Sequence, residues 1–582
     1  MVPWWILRNN FKSVLDIIQS LSSSTHRDLP LYNDPFHFIP CTNATLPPSL
    51  DDPDPFKTWA SFFNPDPQRW SWGSATSSGP NPRRGIYLCG YLDLPLDYLN
   101  RSDSRVVRLA VTKYQVSGRY NKNSAKSDRT IIIQPGGPGG SGTNEVWRAA
   151  ENLTNLLSDG QFDVLGWDPR GVNISQPSLA CFPHDSYRDR WKILKGRYRV
   201  EVPLPLEHLK LLDAMNNATF YACHKLYGDF GRFIGTGSAA RDLDEIRKAL
   251  GEDQLTGYFV SYGTAIAQIY ANMFPDNVGH LLLDGVEYVK YYQLLGGFAL
   301  HSLDDVTNAW NDGFLGHCAR AGPDKCALAK PAKGQNNTVT FEMLKSRTNT
   351  LFESLIKKPT FGYSEQFGPT LVTYSQLVFS IYVALYSPRS WPDLAQMLYE
   401  LEAGNSTRAT TVIDDSWSDP AASFQSHKPS SLELPWMVIC ADSYDSLGDG
   451  DELSWWDDLW ANISTQSWIS SFQITTVLQC RHYRTYWPDP PDVYRGDLNT
   501  KLRNPLLLVS GTYDPATPLN NAKRLLGEMG SNARLIVHRG YGHTSREDPS
   551  DCTDYYKKAY ILHGEIPHSQ EIQCNATQKP FS

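Results

Sequence analysis

Three residues far apart in the chain, Ser261, Asp514 and His543, each stand in the segment that follows a short apolar run. Val260-Ser261-Tyr262-Gly263-Thr264 closes the run 255–260 and opens the helical pattern 265–273. A strand-to-helix turn at that point would lift a hydroxyl to the carboxyl edge of a sheet. Ser-x-Gly alone is common. A serine hydroxyl attacks a carbonyl only when a base takes its proton and a third group orients that base. The run 505–509 leads into Ser510-Gly511-Thr512-Tyr513-Asp514-Pro515, and 535–537 leads into Gly540-Tyr541-Gly542-His543, where glycines let the chain turn an imidazole back toward the sheet. These types in this order are those of acyl transfer, with Ser261 as nucleophile, His543 as base and Asp514 as the group that orients it.

Such chemistry also needs donors for the oxyanion that develops on the attacked carbonyl. Gln134-Pro135-Gly136-Gly137-Pro138-Gly139-Gly140-Ser141-Gly142 follows the run 130–133, and its bare backbone can present an N–H over the serine. The amides of Gly137 and Tyr262 are the expected donors. The structural alternative is a flexible glycine turn or a phosphate loop. A Walker loop fails, because no Gly-Lys-Ser/Thr follows and Pro138 lacks an amide.

These groups need a sheet to position them. Strand-like runs recur at 106–111, 130–133, 162–165, 255–260, 281–283, 505–509 and 535–537, with helical patterns such as 238–250 and 265–273 between several of them. Short buried strands alternating with helices predict an α/β fold with a mostly parallel sheet covered on both faces. The pattern breaks after Gly285 and resumes at Asn504, and the interval holds nine of the 17 Trp and the helical pattern 374–385. It reads as a large helical lid inserted between two strands, with aromatic side chains lining a pocket, rather than as an independent domain. Residues 22–85, rich in Ser, Pro, Asn and Asp, read as a wrapping arm. The expected organisation is an irregular arm over 1–84, core over 85–286, lid over 287–499 and the rest of the core over 500–582.

Gly136 to Gly142, Phe162-Asp163-Val164-Leu165-Gly166-Trp167-Asp168-Pro169-Arg170-Gly171-Val172, Ser261 to Thr264, Leu283-Asp284-Gly285-Val286 and Asp514-Pro515-Ala516-Thr517-Pro518 together resemble the tripeptidyl-aminopeptidase-like branch of the prolyl-aminopeptidase (S33) serine hydrolases. The resemblance covers about residues 85–286 and 500–582 and includes the family's carboxy-terminal domain. It implies the α/β-hydrolase fold and secreted enzymes that release short peptides from free amino termini, without metal or organic cofactor. Rival readings are an esterase, a biosynthetic hydrolase acting on a small metabolite, or a catalytically inactive binding protein. The last rests on Phe259, which occupies a position where the family carries Gly, two residues before the serine. A ring there is expected to be met by small residues, with Ala265, Ala267 and Ala271 as candidates.

Ten cysteines with no C-x-x-C pair and no zinc-finger spacing argue for disulfides rather than a metal site. They admit roughly a thousand pairings. The family implies Cys552 with Cys574. Neighbours in sequence are the expectation for the rest: Cys41 with Cys89, Cys181 with Cys223, Cys318 with Cys326, and Cys440 with Cys480. Nine N-x-S/T sequons, at Asn43, Asn100, Asn152, Asn173, Asn217, Asn336, Asn405, Asn462 and Asn575, agree with a secretory route. The amino terminus does not, because Arg8, Asn9, Asn10 and Lys12 interrupt what a signal peptide would keep apolar, and an amphipathic helix is the expectation there.

Over 582 residues, 54 Lys+Arg against 62 Asp+Glu give a net charge of -8, so nucleic-acid binding has no electrostatic basis. No run of 18 apolar residues predicts an integral membrane span. The expected partner is a peptide or small-molecule substrate. Asp168 and Arg170 are expected to form a local ion pair, Asp242 and Asp244 to lie on a solvated or capping helix face, and His538 at the surface. Asp449, Asp451, Asp457 and Asp458 lack the spacing of a calcium loop.

Overall fold

The computed structural model describes residues 29–74, 84–117, 129–195, 205–301, 303, 305–331, 338–365, 368–414, 431–443 and 450–581. The amino-terminal helix expectation, Asn336 and Asp449 lie outside them.

Twelve strands are described: β1 Ile39–Pro40, β2 Ile86–Pro95, β3 Val106–Gln115, β4 Thr130–Gln134, β5 Asp163–Trp167, β6 Leu255–Val260, β7 Val278–Asp284, β8 Thr360–Ser364, β9 Gly368–Val372, β10 Leu506–Tyr513, β11 Ala533–Tyr541 and β12 Glu571–Asn575. Ten form one sheet in the order β1-β2-β3-β5-β4-β6-β7-β10-β11-β12, and β8 and β9 make a separate hairpin. The pairs from β5 to β12 are parallel, and β1 to β3 close one edge in antiparallel fashion. β1 lies inside the segment expected to be an irregular arm, and Ile39 and Pro40 extend the sheet against Cys89 and Leu88.

The inner strands are apolar on both faces because helices cover both. Side chains alternate across the sheet. Leu281 and Leu283 join the core cluster that contains Phe259 of β6 and Leu243, Ile246, Ala267 and Leu525 from helices α2 (Thr236–Leu250), α3 (Gly263–Met273) and Leu519–Met529. Leu282 joins the opposite cluster, with Val146, Leu153 and Ile561 from α1 (Gly142–Ser158) and the helix Asp551–His563. Phe259 is fully buried in the first cluster with Ala265, Ala267 and Ala271. The closest room for its ring comes from its own strand, since a Cβ on Gly257 would stand 2.5 Å from Phe259 Cε2.

Residues 285–505 leave the sheet between β7 and β10 and divide between two cores. The 303–413 portion, including Tyr374–Leu385, builds its own cluster around Trp310, Phe314 and Trp391. Leu434–Asp442, Leu453–Gln466 and Cys480–Tyr486 pack into the main core instead, with Trp456 and Trp460 on the second and Trp487 just after the third. Those tryptophans, with Trp391, are almost fully buried packing residues. A cavity of about 560 Å³ is lined instead by Tyr513, Tyr541, Phe341, Asp312 and Arg320, among others.

Several polar expectations are corrected. Arg170 does not pair with Asp168. Its guanidinium donates to Asp242 at 2.8 and 2.9 Å and to the carbonyls of Leu96 and Pro95 at 2.6 and 2.8 Å, all in the interior. Asp242 is therefore a buried partner and not a solvated face. Asp244 is buried too and pairs with Arg247 and Lys248. Asp168 accepts from Ser141, Thr143, Asn173 and the Ile174 amide, and burial pushes its carboxyl above the usual range. His538 is buried against Thr553, because β11 is covered on both faces.

Five disulfides join Cys41–Cys89, Cys181–Cys223, Cys318–Cys326, Cys440–Cys480 and Cys552–Cys574. They fit an oxidising, extracytoplasmic compartment. No helix among the described residues is long and apolar enough to cross a membrane.

Candidate active site

Ser261 sits directly after β6 with φ +54°, a left-handed conformation that non-glycine residues rarely adopt and that a nucleophile elbow requires. Its amide donates to the Asp284 carbonyl at the end of β7 (3.0 Å), and its own carbonyl accepts from the Thr264 amide at 2.8 Å as α3 begins. The glycine loop after β4 presses against this turn. A Cβ on Gly136 (φ +96°) would stand 2.5 Å from the Val260 carbonyl oxygen and 2.8 Å from Ser261 Cβ, so only glycine fits there. Among the described residues neither the Gly137 nor the Tyr262 amide has a hydrogen-bond acceptor, which leaves both N–H groups available beside the serine.

Asp514 follows β10 and is fully buried. Its carboxylate accepts from the amides of Ala516, Thr517 and Thr544 at 2.9 Å each and from Thr517 Oγ1 at 2.7 Å. His543 Nδ1 lies 2.9 and 3.1 Å from its two oxygens. Burial works against the charge on Asp514, but His543 and the surrounding amides hold its carboxyl below the usual range. Burial likewise opposes charge on His543, yet Asp514, with Glu287 and Asp284 in support, raises the imidazole above its ordinary value. Asp514 thereby fixes the tautomer, with Nδ1–H toward the carboxylate and Nε2 left to accept a proton.

No protein hydrogen bond joins Ser261 Oγ to His543 Nε2. The two are nonetheless brought to one place, for Ser261 is bonded to Asp284, and a Cβ on the next residue, Gly285, would lie 3.5 Å from His543 Cε1. Such contacts commonly tighten only when substrate binds. The arrangement can pass a proton from a serine hydroxyl to an imidazole as the serine oxygen bonds to a carbonyl carbon, and hold the negative oxygen that develops on that carbonyl.

Comparison with known proteins decides the family. Residues 129–320 match the model described as alpha/beta hydrolase fold, and residues 466–574 match the one described as TAP-like protein. The chain is an α/β-hydrolase with a TAP-like carboxy-terminal region. The hydrolase is 29% identical over 508 residues to the serine protease Hip1 of Mycobacterium tuberculosis, covering 86% of this chain and 89% of that one. It is 25% identical over 509 residues to the tripeptidyl aminopeptidase of Streptomyces lividans, covering 84% of each. Carboxylesterase B of Mycobacterium tuberculosis is 26% identical over 490 residues, covering 84% of this chain and 86% of the relative. The hydrolase is thus a serine hydrolase whose relatives include peptidases and an esterase.

Two features of the site escaped sequence reasoning. The first is Glu287, three residues beyond β7. It is buried, its backbone is held by Thr264 Oγ1 (2.9 Å) and Gln268 Nε2 (2.8 Å), and its carboxylate lies beside the Tyr292 phenol. Burial raises its carboxyl to about 7, with the nearby Tyr292 phenol and His543 pulling the other way and Asp514 adding to the rise. Its only sequence signal is its place immediately after Leu283-Asp284-Gly285-Val286. The second is Tyr386 of the inserted region, whose carbonyl accepts the His543 amide at 2.8 Å and whose ring lies 5.0 Å from the imidazole.

Of the eight described sequons, seven asparagines are exposed. Asn173 is half-buried and its amide donates to Asp168 at 2.9 Å, so it is the least accessible of the set.

Proposed function

We propose that the hydrolase is a peptidase that cleaves amide bonds and releases short peptides from free amino termini. Ser261 attacks the carbonyl, His543 takes the serine proton and returns it to the leaving amine, Asp514 orients His543, and the Gly137 and Tyr262 amides hold the oxyanion. The acyl group passes to Ser261 as the C–N bond breaks, and water then releases it by the same route.

The observation that carries the substrate reading is Glu287. A buried carboxyl close to His543 that has the Tyr292 phenol beside it and, among the described residues, no other donor is costly to ionise unless a ligand supplies further partners. A peptide ammonium does so through charge-assisted hydrogen bonds. An ester substrate needs only apolar walls. The peptidase names among the relatives favour the same reading, and the esterase among them defines the rival.

The test compares peptides carrying a free amino terminus with their acetylated counterparts. Cleavage of the free form and refusal of the acetylated one is expected, with Glu287→Gln raising KM for the free form at least about tenfold. Equal rates on both, or activity on simple esters alone, would favour the esterase.

A further inference from the structure

We propose that Asp284 is a positioning residue that fastens the serine turn and the histidine loop to one strand end. The inference rests on Ser261 and His543 being the reacting pair. Its carbonyl accepts the Ser261 amide at 3.0 Å. Its carboxylate reaches the other side of the site, where Oδ1 accepts the Ser545 amide at 2.9 Å and Oδ2 accepts Ser545 Oγ at 2.5 Å, two residues beyond His543. One residue therefore sets the spacing between the segments that carry nucleophile and base.

The carboxylate is itself held. Tyr258 Oη, on β6, donates to Oδ2 at 2.8 Å, and Lys557 Nζ lies 3.5 Å from Oδ2 while donating to Ser545 Oγ at 3.0 Å. Asp284 is fully buried and Lys557 nearly so. Arg546 lies over the Tyr258 ring and pairs with Glu145, which fastens the same loop to α1. A buried ion pair is seldom a net source of stability. This one spends its oxygens on the histidine loop rather than on its own strand, which points to placement as its role.

Asp284 also supplies a fixed negative charge behind the imidazole, since Lys557, Ser545 and Tyr258 hold its carboxyl below the usual range despite burial. The charged and titratable groups facing His543 are Asp514 from the loop after β10, Glu287 and Asp284 from the end of β7, and from the inserted region Tyr386, whose phenol is hydrogen-bonded to that of Tyr382. His543 acts as a base only when neutral, so labelling of Ser261 rises as pH passes the imidazole pKa. Removing a nearby negative charge lowers that pKa and moves the acidic limb to lower pH.

The experiment measures the rate at which a fluorophosphonate labels Ser261 across pH, beside the unfolding midpoint, in wild type and in Asp284→Asn, Asp284→Asn/Lys557→Met and Ser545→Ala. The double variant leaves no unpaired buried cation, and Ser545→Ala removes one contact while keeping the charge. Labelling at least about tenfold slower is expected in both Asp284 variants, and several-fold slower in Ser545→Ala. The acidic limb of Asp284→Asn should move down by at least about half a pH unit. Folded variants that label at the wild-type rate with an unmoved limb would overturn the proposal and leave the Ser261 reading intact. A wild-type protein that is not labelled at Ser261 would overturn both.

Discussion

In the proposed reading Glu287 receives the free amine of the substrate, and its ionisation makes a prediction that belongs to a single side chain. Burial holds its carboxyl up to about 7. An ammonium binds the ionised form, so KM for a free-amine peptide should fall as pH rises through that value, while kcat follows His543. Glu287→Gln should abolish the KM trend and leave the kcat profile in place. Steady-state kinetics between pH 5 and 9 on one free-amine peptide check both limbs (roughly the range over which a carboxyl near neutrality titrates). A KM independent of pH in the wild type would remove Glu287 from substrate recognition. Asp514 behaves oppositely, for its depressed carboxyl stays ionised throughout this range and contributes no limb.

At the scale of elements, β6 and α3 carry the serine turn, and Phe259 tests how they pack. The ring is fully buried and lies over Gly257, with alanines of α3 in the same cluster. Phe259→Gly should destabilise the protein by about 3–5 kcal/mol, as large aromatic truncations do, without faster labelling of Ser261. Unfolding midpoint and labelling rate measured on that variant decide it, and faster labelling would mean that the ring strains the turn. The strands bearing Ser261, Asp514 and His543 were legible because continuous apolar runs followed by Gly and Pro leave little else to be. Their partners were not. Asp242 looks like any exposed helix acid until Arg170, 72 residues earlier, is folded against it. His538 alternates with apolar residues as a surface strand would, but lies under the helix Asp551–His563. The tryptophan-rich insertion gave no sign of splitting between two cores, since buried aromatics carry no address. Glu287 and Asp284 were hidden for a related reason, because an acid at a strand end shows its role only through the distant residues it meets.

The whole molecule is held by five disulfides that close sequence separations of 48, 42, 8, 40 and 22 residues. Two bear on the site. Cys552–Cys574 ties the helix carrying Lys557 to β12, and Cys440–Cys480 ties together two helices of the insertion that pack in the main core. Each is expected to contribute about 2–4 kcal/mol. Reduction should therefore lower the unfolding midpoint, and peptide mapping without reductant should recover Cys552 linked to Cys574. Free thiols at both would contradict the extracytoplasmic placement. The site itself is a property of the whole chain, since Ser261, Asp514 and His543 come from segments on either side of the insertion. The most direct test is to treat the folded protein with a fluorophosphonate and map the adduct by mass spectrometry, in wild type and in Ser261→Ala and His543→Ala. The account predicts one adduct, on Ser261, absent from Ser261→Ala and slowed by orders of magnitude in His543→Ala, with peptide or ester turnover lost on the order of a million-fold in Ser261→Ala. Labelling at another serine, or a Ser261→Ala protein that keeps most of its turnover, would contradict it.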